Sequence, residues 1–238
     1  MTSGPLLDPR ARAVVDRLHE LSDRQARQMM VPALLGMAAG ILRRDKRDFT
    51  QTERGKAILA DQLVALDRTK AEFCYALCRG LNARCVVEAG TSFGVSTIYL
   101  AAAVRDNAGT GELRGVVIGT EHEPAKARVA RENFAAAGLA EFIDLREGDL
   151  WETLKHIENP VDFMLIDIWV PMARPALERV APRMPVGSMV VCDNTARFRK
   201  AYRDYFDFLN DPANSFLTMT LPFAGGLELS VKVSRLDQ

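Results

Sequence analysis

Asp167, Asp193 and Asn194 each close a short apolar run, Leu165-Ile166-Asp167 and Val190-Val191-Cys192-Asp193-Asn194. Runs of that length and composition read as buried strands, so the three oxygen-bearing side chains would gather at one edge of a sheet. Carboxylate and amide oxygens are the ligands that hard dications such as Mg²⁺ and Ca²⁺ prefer. A plainer reading stands beside this one, with Asp193-Asn194 as turn formers and Asp167 as a helix cap.

A second group of candidates lies upstream, in Cys85-Val-Val-Glu88-Ala-Gly90-Thr-Ser92-Phe-Gly94-Val-Ser96-Thr-Ile-Tyr-Leu100. A β-branched run ending in an acid, two glycines four apart and then an Ala/Leu-rich stretch describe a strand, a tight turn and a helix N-terminus. That is where an α/β protein holds a small charged ligand. Glycines there would let backbone N–H groups approach the ligand, since no Cβ stands in the way. A dinucleotide fingerprint needs Gly-x-Gly-x-x-Gly, and Thr91-Ser92-Phe93 carries no glycine. A Walker loop needs Gly-Lys-Ser/Thr, and Val95 follows Gly94.

Further acids stand at later strand ends. Glu121 follows Gly94 by one βαβ unit and could take both hydroxyls of a ribose, or simply be a solvated strand-end acid. Asp149 could accept from an exocyclic amine such as that of adenine, and could equally cap the helix that starts at Leu150.

These residues need a frame. From residue 84 onward strands and helices alternate: strands at 84–88, 115–121, 142–147, 163–167 and 189–193, helices at 96–105, 124–137, 150–157, 174–180 and 200–209. Pro124 starts the second helix and Gly138 stops it. Strands at 217–221 and 227–233 are joined by Pro-Phe-Ala-Gly-Gly only, too short for a parallel crossover, so they pair antiparallel. Ahead of the alternation, residues 9–30 and 51–80 carry apolar positions at helical spacing, with a polar, basic connection at 43–48 and Thr69 as candidate N-cap. The expected architecture is an α/β sheet of seven strands, mostly parallel with one antiparallel C-terminal hairpin strand, helices on both faces and extra N-terminal helices. We divide it into an N-terminal helical layer or lid at 1–70 and a ligand-binding domain at 71–238.

Composition narrows the partners. Thirty-one basic residues balance 31 acidic ones, which gives no electrostatic footprint for nucleic acid or an anionic membrane. No apolar run is long enough for a membrane span and no signal-peptide core precedes the first helix, so the expected location is cytoplasmic. Cys74, Cys78, Cys85 and Cys192 form no C-x-x-C and read as buried free thiols. The apolar run over residues 29–42 could serve a lid or a homodimer.

Glu88-x-Gly90-x-x-x-Gly94 resembles motif I of class I S-adenosylmethionine (SAM) methyltransferases. With the later strand-end motifs in the same order, residues 71–238 resemble the Rossmann-like, metal-dependent O-methyltransferases of the catechol and caffeoyl-CoA type. The resemblance implies a SAM site of Glu88, Gly90, Gly94 and Ser96, the last holding the methionine carboxylate, with Glu121 on the ribose and Asp149 with Leu150 around the adenine. It places Trp169 beside cofactor and acceptor. It makes Asp167, Asp193 and Asn194 a Mg²⁺ or other divalent cation triad, with Asp167 positioning the acceptor, a small hydroxylated molecule expected to be aromatic. One departure stands out: the catechol enzymes carry His-Trp-Lys where this chain has Ile168-Trp169-Val170. Valine cannot take the proton assigned to that lysine. A SAM- or nucleoside-binding protein without transferase activity is therefore the rival expectation.

Overall fold

The computed structural model describes residues 7–42, 63, 65–108 and 115–234, with only the helical path over 29–42. The stretch 43–48 and the apolar positions Ile58 and Leu59 lie outside these residues. Seven strands form one sheet in the order β3-β2-β1-β4-β5-β7-β6. They are β1 (Cys85–Ala89), β2 (Val116–Glu121), β3 (Ile143–Glu147), β4 (Phe163–Ile166), β5 (Met189–Asp193), β6 (Phe216–Leu221) and β7 (Leu227–Lys232). The first five run parallel, and β7 enters antiparallel to both β5 and β6. Strand order reverses between β1 and β4, which opens a crevice beyond their carboxyl ends.

Alternation along the strands divides the core between two faces. Val86, Phe163, Leu165 and Val191 face helices α1 (Pro9–Leu42), α2 (Arg68–Gly80), α3 (Val95–Ala108) and α4 (Pro124–Ala137). Val87, Ala89, Met164, Ile166 and Cys192 face α5 (Leu150–Thr153), α6 (Val170–Val180) and α7 (Arg203–Asn210). Every residue of α3 from Val95 to Val104 is buried, because α1 and α2 pack over the side turned away from the sheet. A helix apolar on all sides needs such a second cover. All four cysteines are free and buried, as their isolated spacing predicts.

Helix ends follow local chemistry, and three of the departures from expectation have identifiable causes. Gly138 ends α4 at φ +72° and its amide reaches the Ala135 carbonyl, the left-handed stop anticipated from sequence. The cap of α2 is Asp67, whose carboxylate accepts from the amides of Thr69 and Lys70; Thr69 lies inside the first turn. α5 stops at Thr153, where Arg146 donates to the carbonyls of Thr153 and His156 and draws the chain out of the helix. α6 begins at Val170, four residues before the expected start, since Pro171 falls in the first turn, where no amide is needed.

α1 is bolted to α4 and, through Asn133, to the β1–α3 loop. Arg10 donates to the carbonyls of Ala135 and Ala136 at the end of α4, both at 2.7 Å. Arg17 donates to Asn133, which in turn donates to the Phe93 carbonyl in the β1–α3 loop. Asp8 caps α1 through the amides of Arg10 and Ala11 and pairs with Arg105 at 2.5 Å.

Burial alone would push the Asp8 carboxyl up, but Arg105 and the two amides outweigh it and hold it below its ordinary value. A depressed folded value contributes stability above the unfolded value of about 3.9 and loses it as pH falls through the folded value. Urea unfolding at a series of pH values should therefore show a flatter acid limb in Asp8→Asn, which keeps the cap. Asp8→Ala should cost about 1 kcal/mol more at neutral pH through the lost cap. An acid limb unchanged in Asp8→Asn would remove this pair from the account.

Candidate functional site

The β1–α3 loop is shaped first by contacts within the protein. Glu88 is fully buried; its Oε2 accepts from the hydroxyls of Thr97 and Thr91. Oε1 has no hydrogen-bond partner among the described residues. Burial pushes this carboxyl above its ordinary value against the pull of the neighbouring hydroxyls. Gly90 sits at φ +97°, and a Cβ there would lie 2.1 Å from the Asp167 carbonyl oxygen. Gly94 sits at φ +86°, where a Cβ would lie 2.3 Å from the Phe134 ring. What the missing side chains make room for is thus the β4 end and α4, a tighter demand than clearing a ligand's path.

Ser96 is buried in the first turn of α3, where backbone amides lack intrahelical acceptors and favour an anion. Glu121 ends β2 and accepts from the amides of Ser92 at 2.7 Å and Glu123 at 2.9 Å. Two amides fix the carboxylate and leave lone pairs over for hydroxyl donors. Asp149 caps α5 through the Trp151 amide at 2.8 Å, so the capping role foreseen for it is real. Leu150 beside it packs into the lower core. Trp169 is 40% exposed just ahead of α6, whereas Val170 is buried in the core.

β4 and β5 pair with Ile166 opposite Cys192, which brings Asp167 and Asp193 to adjacent strand ends. Into this corner comes a residue that the sequence reading missed. Lys70, in the first turn of α2, is 3% exposed and its Nζ lies 2.5 Å from Asp193 Oδ1. The other carboxylate oxygen of Asp193 accepts from the Asn194 side-chain amide at 2.8 Å. Asn194, in the left-handed region at φ +59°, turns its Oδ1 toward Gly225 in the β6–β7 turn. Tyr202 donates to the Asp193 carbonyl.

Electrostatics follow from this crowding. Burial raises the carboxyls of both Asp167 and Asp193; the charges of Asp193 and Glu88 raise Asp167 further, while Lys70 works against the rise on both. A signal for Lys70 was present: with Cys74 and Cys78 it makes an i, i+4, i+8 stripe that is otherwise apolar and buried. A lysine on such a stripe needs a partner, and the partner lies 123 residues away.

The donor set does not suit the divalent cation that the sequence resemblance implies. An ammonium already occupies one oxygen of Asp193, an amide N–H occupies the other, and Asn194 points its oxygen elsewhere.

Comparisons with known proteins agree with this architecture. Residues 87–195 match a family model described as a methyltransferase domain. The chain is 30% identical over 135 residues to a catechol O-methyltransferase of Mycobacterium tuberculosis, covering 56% of this chain and 58% of that one. It is 27% identical over 138 residues to a catechol O-methyltransferase of Niastella koreensis, covering 56% and 59%. The matched region thus spans less than two thirds of either relative. An O-methyltransferase from Bacillus cereus, solved in complex with S-adenosylhomocysteine (SAH), superposes with a TM-score of 0.64 at 21% identity, covering 78% of this chain and 91% of that one. Sheet order and these likenesses together show the fold of the class I methyltransferases, with residues 87–195 similar to a methyltransferase domain and part of the chain similar to catechol O-methyltransferases.

Proposed function

We propose that this chain is a cytoplasmic SAM-dependent O-methyltransferase acting on the hydroxyl of a small aromatic acceptor. The observation that carries the reading is the β1–α3 loop. Around it stand a buried β1 carboxylate with one oxygen that has no donor among the described residues, a buried serine at a free helix N-terminus and the β2-end acid fixed by two amides. Those groups suit the ammonium, the carboxylate and the ribose hydroxyls of SAM respectively. In this reading Glu88, Gly90 and Gly94 build the loop, Ser96 and the first turn of α3 take the methionine carboxylate, and Glu121 takes the ribose. Asp149 and Leu150 border the adenine, and Trp169 offers an exposed ring to cofactor and acceptor. When bound, SAM supplies an electrophilic methyl on a sulfonium: an O–C bond forms as the C–S bond breaks, sulfur keeps the electron pair, and the hydroxyl proton passes to water. The protein's own part is alignment of the two reactants and exclusion of water, which accounts for large rate factors when geometry is right.

The division into an N-terminal layer at 1–70 and a SAM-binding domain at 71–238 belongs to the same reading. No helix among the described residues is long and apolar enough to cross a membrane. A homodimer through the apolar run over 29–42 is retained as part of the proposal, motivated by that run's composition; light scattering that returns the mass of one chain over a wide concentration range would remove it.

Calorimetry should find SAM and SAH binding with micromolar Kd, the range usual for small-molecule sites. Glu121→Ala should weaken SAM by about 1.5–3 kcal/mol, the contribution of hydrogen bonds to a charged group. Equal affinity in wild type and variant would refute the ribose role.

Catechols are the first acceptors to test, since the similar curated proteins are catechol O-methyltransferases. Mass spectrometry of such reactions should show one added methyl on oxygen with one SAH formed per turnover. SAM binding with no product from any hydroxylated aromatic would favour a SAM-binding protein without transferase activity.

A further inference from the structure

Lys70 stands out as a buried ammonium with spare capacity. It can donate three hydrogen bonds, and Asp193 is the acceptor it has among the described residues. Its surroundings are Asp193 at 2.5 Å and, at adjacent strand ends, Asp167. Val170, which follows Trp169 at the position of the resemblance's lysine, is sealed in the opposite core and offers the cleft no polar group. Both oxygens of Asp193 already accept hydrogen bonds, and the side-chain oxygen of Asn194 is turned toward Gly225. One positive charge is thus built into the carboxyl ends of β4 and β5, and it comes from α2, an element outside the strand-end motifs.

We propose that Lys70 supplies from within the chain the positive charge that a dication would otherwise bring, and that the acceptor's reacting oxygen docks on its ammonium. This rests on the transferase reading above. Asp193 anchors the ammonium, the remaining N–H donors hold the acceptor oxygen as its negative charge develops, and the proton lost from the hydroxyl goes to water. Donors fixed in advance on a charge-bearing oxygen are worth more in a water-poor site than in solution. Transfer should then proceed without metal, and a dication should find no vacancy at Asp167 and Asp193.

The test needs no variant to begin. Mn²⁺ titrated into wild type should show no saturable binding at micromolar concentrations by calorimetry or electron paramagnetic resonance, and SAH formation should be unchanged in EDTA. With EDTA present, 4-nitrocatechol should bind wild type with the red-shifted absorption of its ionised form. Lys70→Gln should lose that shift and at least about 100-fold in turnover, the usual effect of removing one oxyanion donor, while SAH affinity stays within a few-fold. Lys70→Arg, which keeps the charge and the anchor, should retain part of the shift and guards against misfolding of the neutral variant. Saturable Mn²⁺ binding by wild type with EDTA-sensitive turnover would overturn the proposal, as would an unshifted nitrocatechol spectrum. SAH binding without methylation of any acceptor would count against the transferase reading, and the nitrocatechol spectrum would still decide whether Lys70 receives an ionised oxygen.

Discussion

The buried pair between Lys70 and Asp193 constrains more of this structure than any other contact. Each ion gives up several kcal/mol of hydration when it leaves water, so neither can be buried without the other. The pair therefore exists only when α2 docks against the end of β5, with Asp67 capping the turn from which Lys70 extends. The same requirement fixes what surrounds Asp193. Asn194 must enter the left-handed region to bring its amide onto the second carboxylate oxygen, and Gly225 must lack a side chain to admit the asparagine. A pair of this kind is poor evidence for high stability and better understood as a fastener that admits one arrangement of helix, strand and hairpin.

The acids at the carboxyl edge of the sheet share a pattern. Each is satisfied first by the chain: Glu88 by two threonine hydroxyls, Glu121 by two loop amides, Asp149 by the amide it caps. Protein donors pin the carboxylates in place, so a ligand meets them already oriented and little ordering remains to be done on binding. The edge as a whole is richer in carboxylates than in cations, a field that suits a ligand carrying a sulfonium and an ammonium.

Much of this was legible in the sequence wherever the governing forces are local. Strand limits follow from apolar runs ended by acids, and the bounds of α4 follow from Pro124 and Gly138 acting on their own neighbours. The antiparallel hairpin follows from the length of its connection. The misjudged helix ends have nonlocal or competing causes: Arg146 shortens α5 from a neighbouring strand, and Asp67 outcompetes Thr69 because a carboxylate two residues earlier reaches both free amides. The glycine loop was readable as a motif because its parts are close in sequence. Lys70 was not, since its meaning depends on a carboxylate far along the chain. The glycines were found for one reason and are required for another, because the atoms that exclude a side chain at Gly90 belong to Asp167.

That last contact has a bearing on how the protein comes to be folded. The loop after β1 is synthesised well before β4, yet its shape is set by a carbonyl at residue 167 and by pairing of β1 with β4. β1 and β2 can pair as soon as both exist, but their loop stays unfinished until β4 threads in beside them. A nascent chain that ends before residue 163 therefore holds the motif without the site. Closing so long a connection is entropically slow, and the unpaired edge of β1 stays open to other strands while it waits.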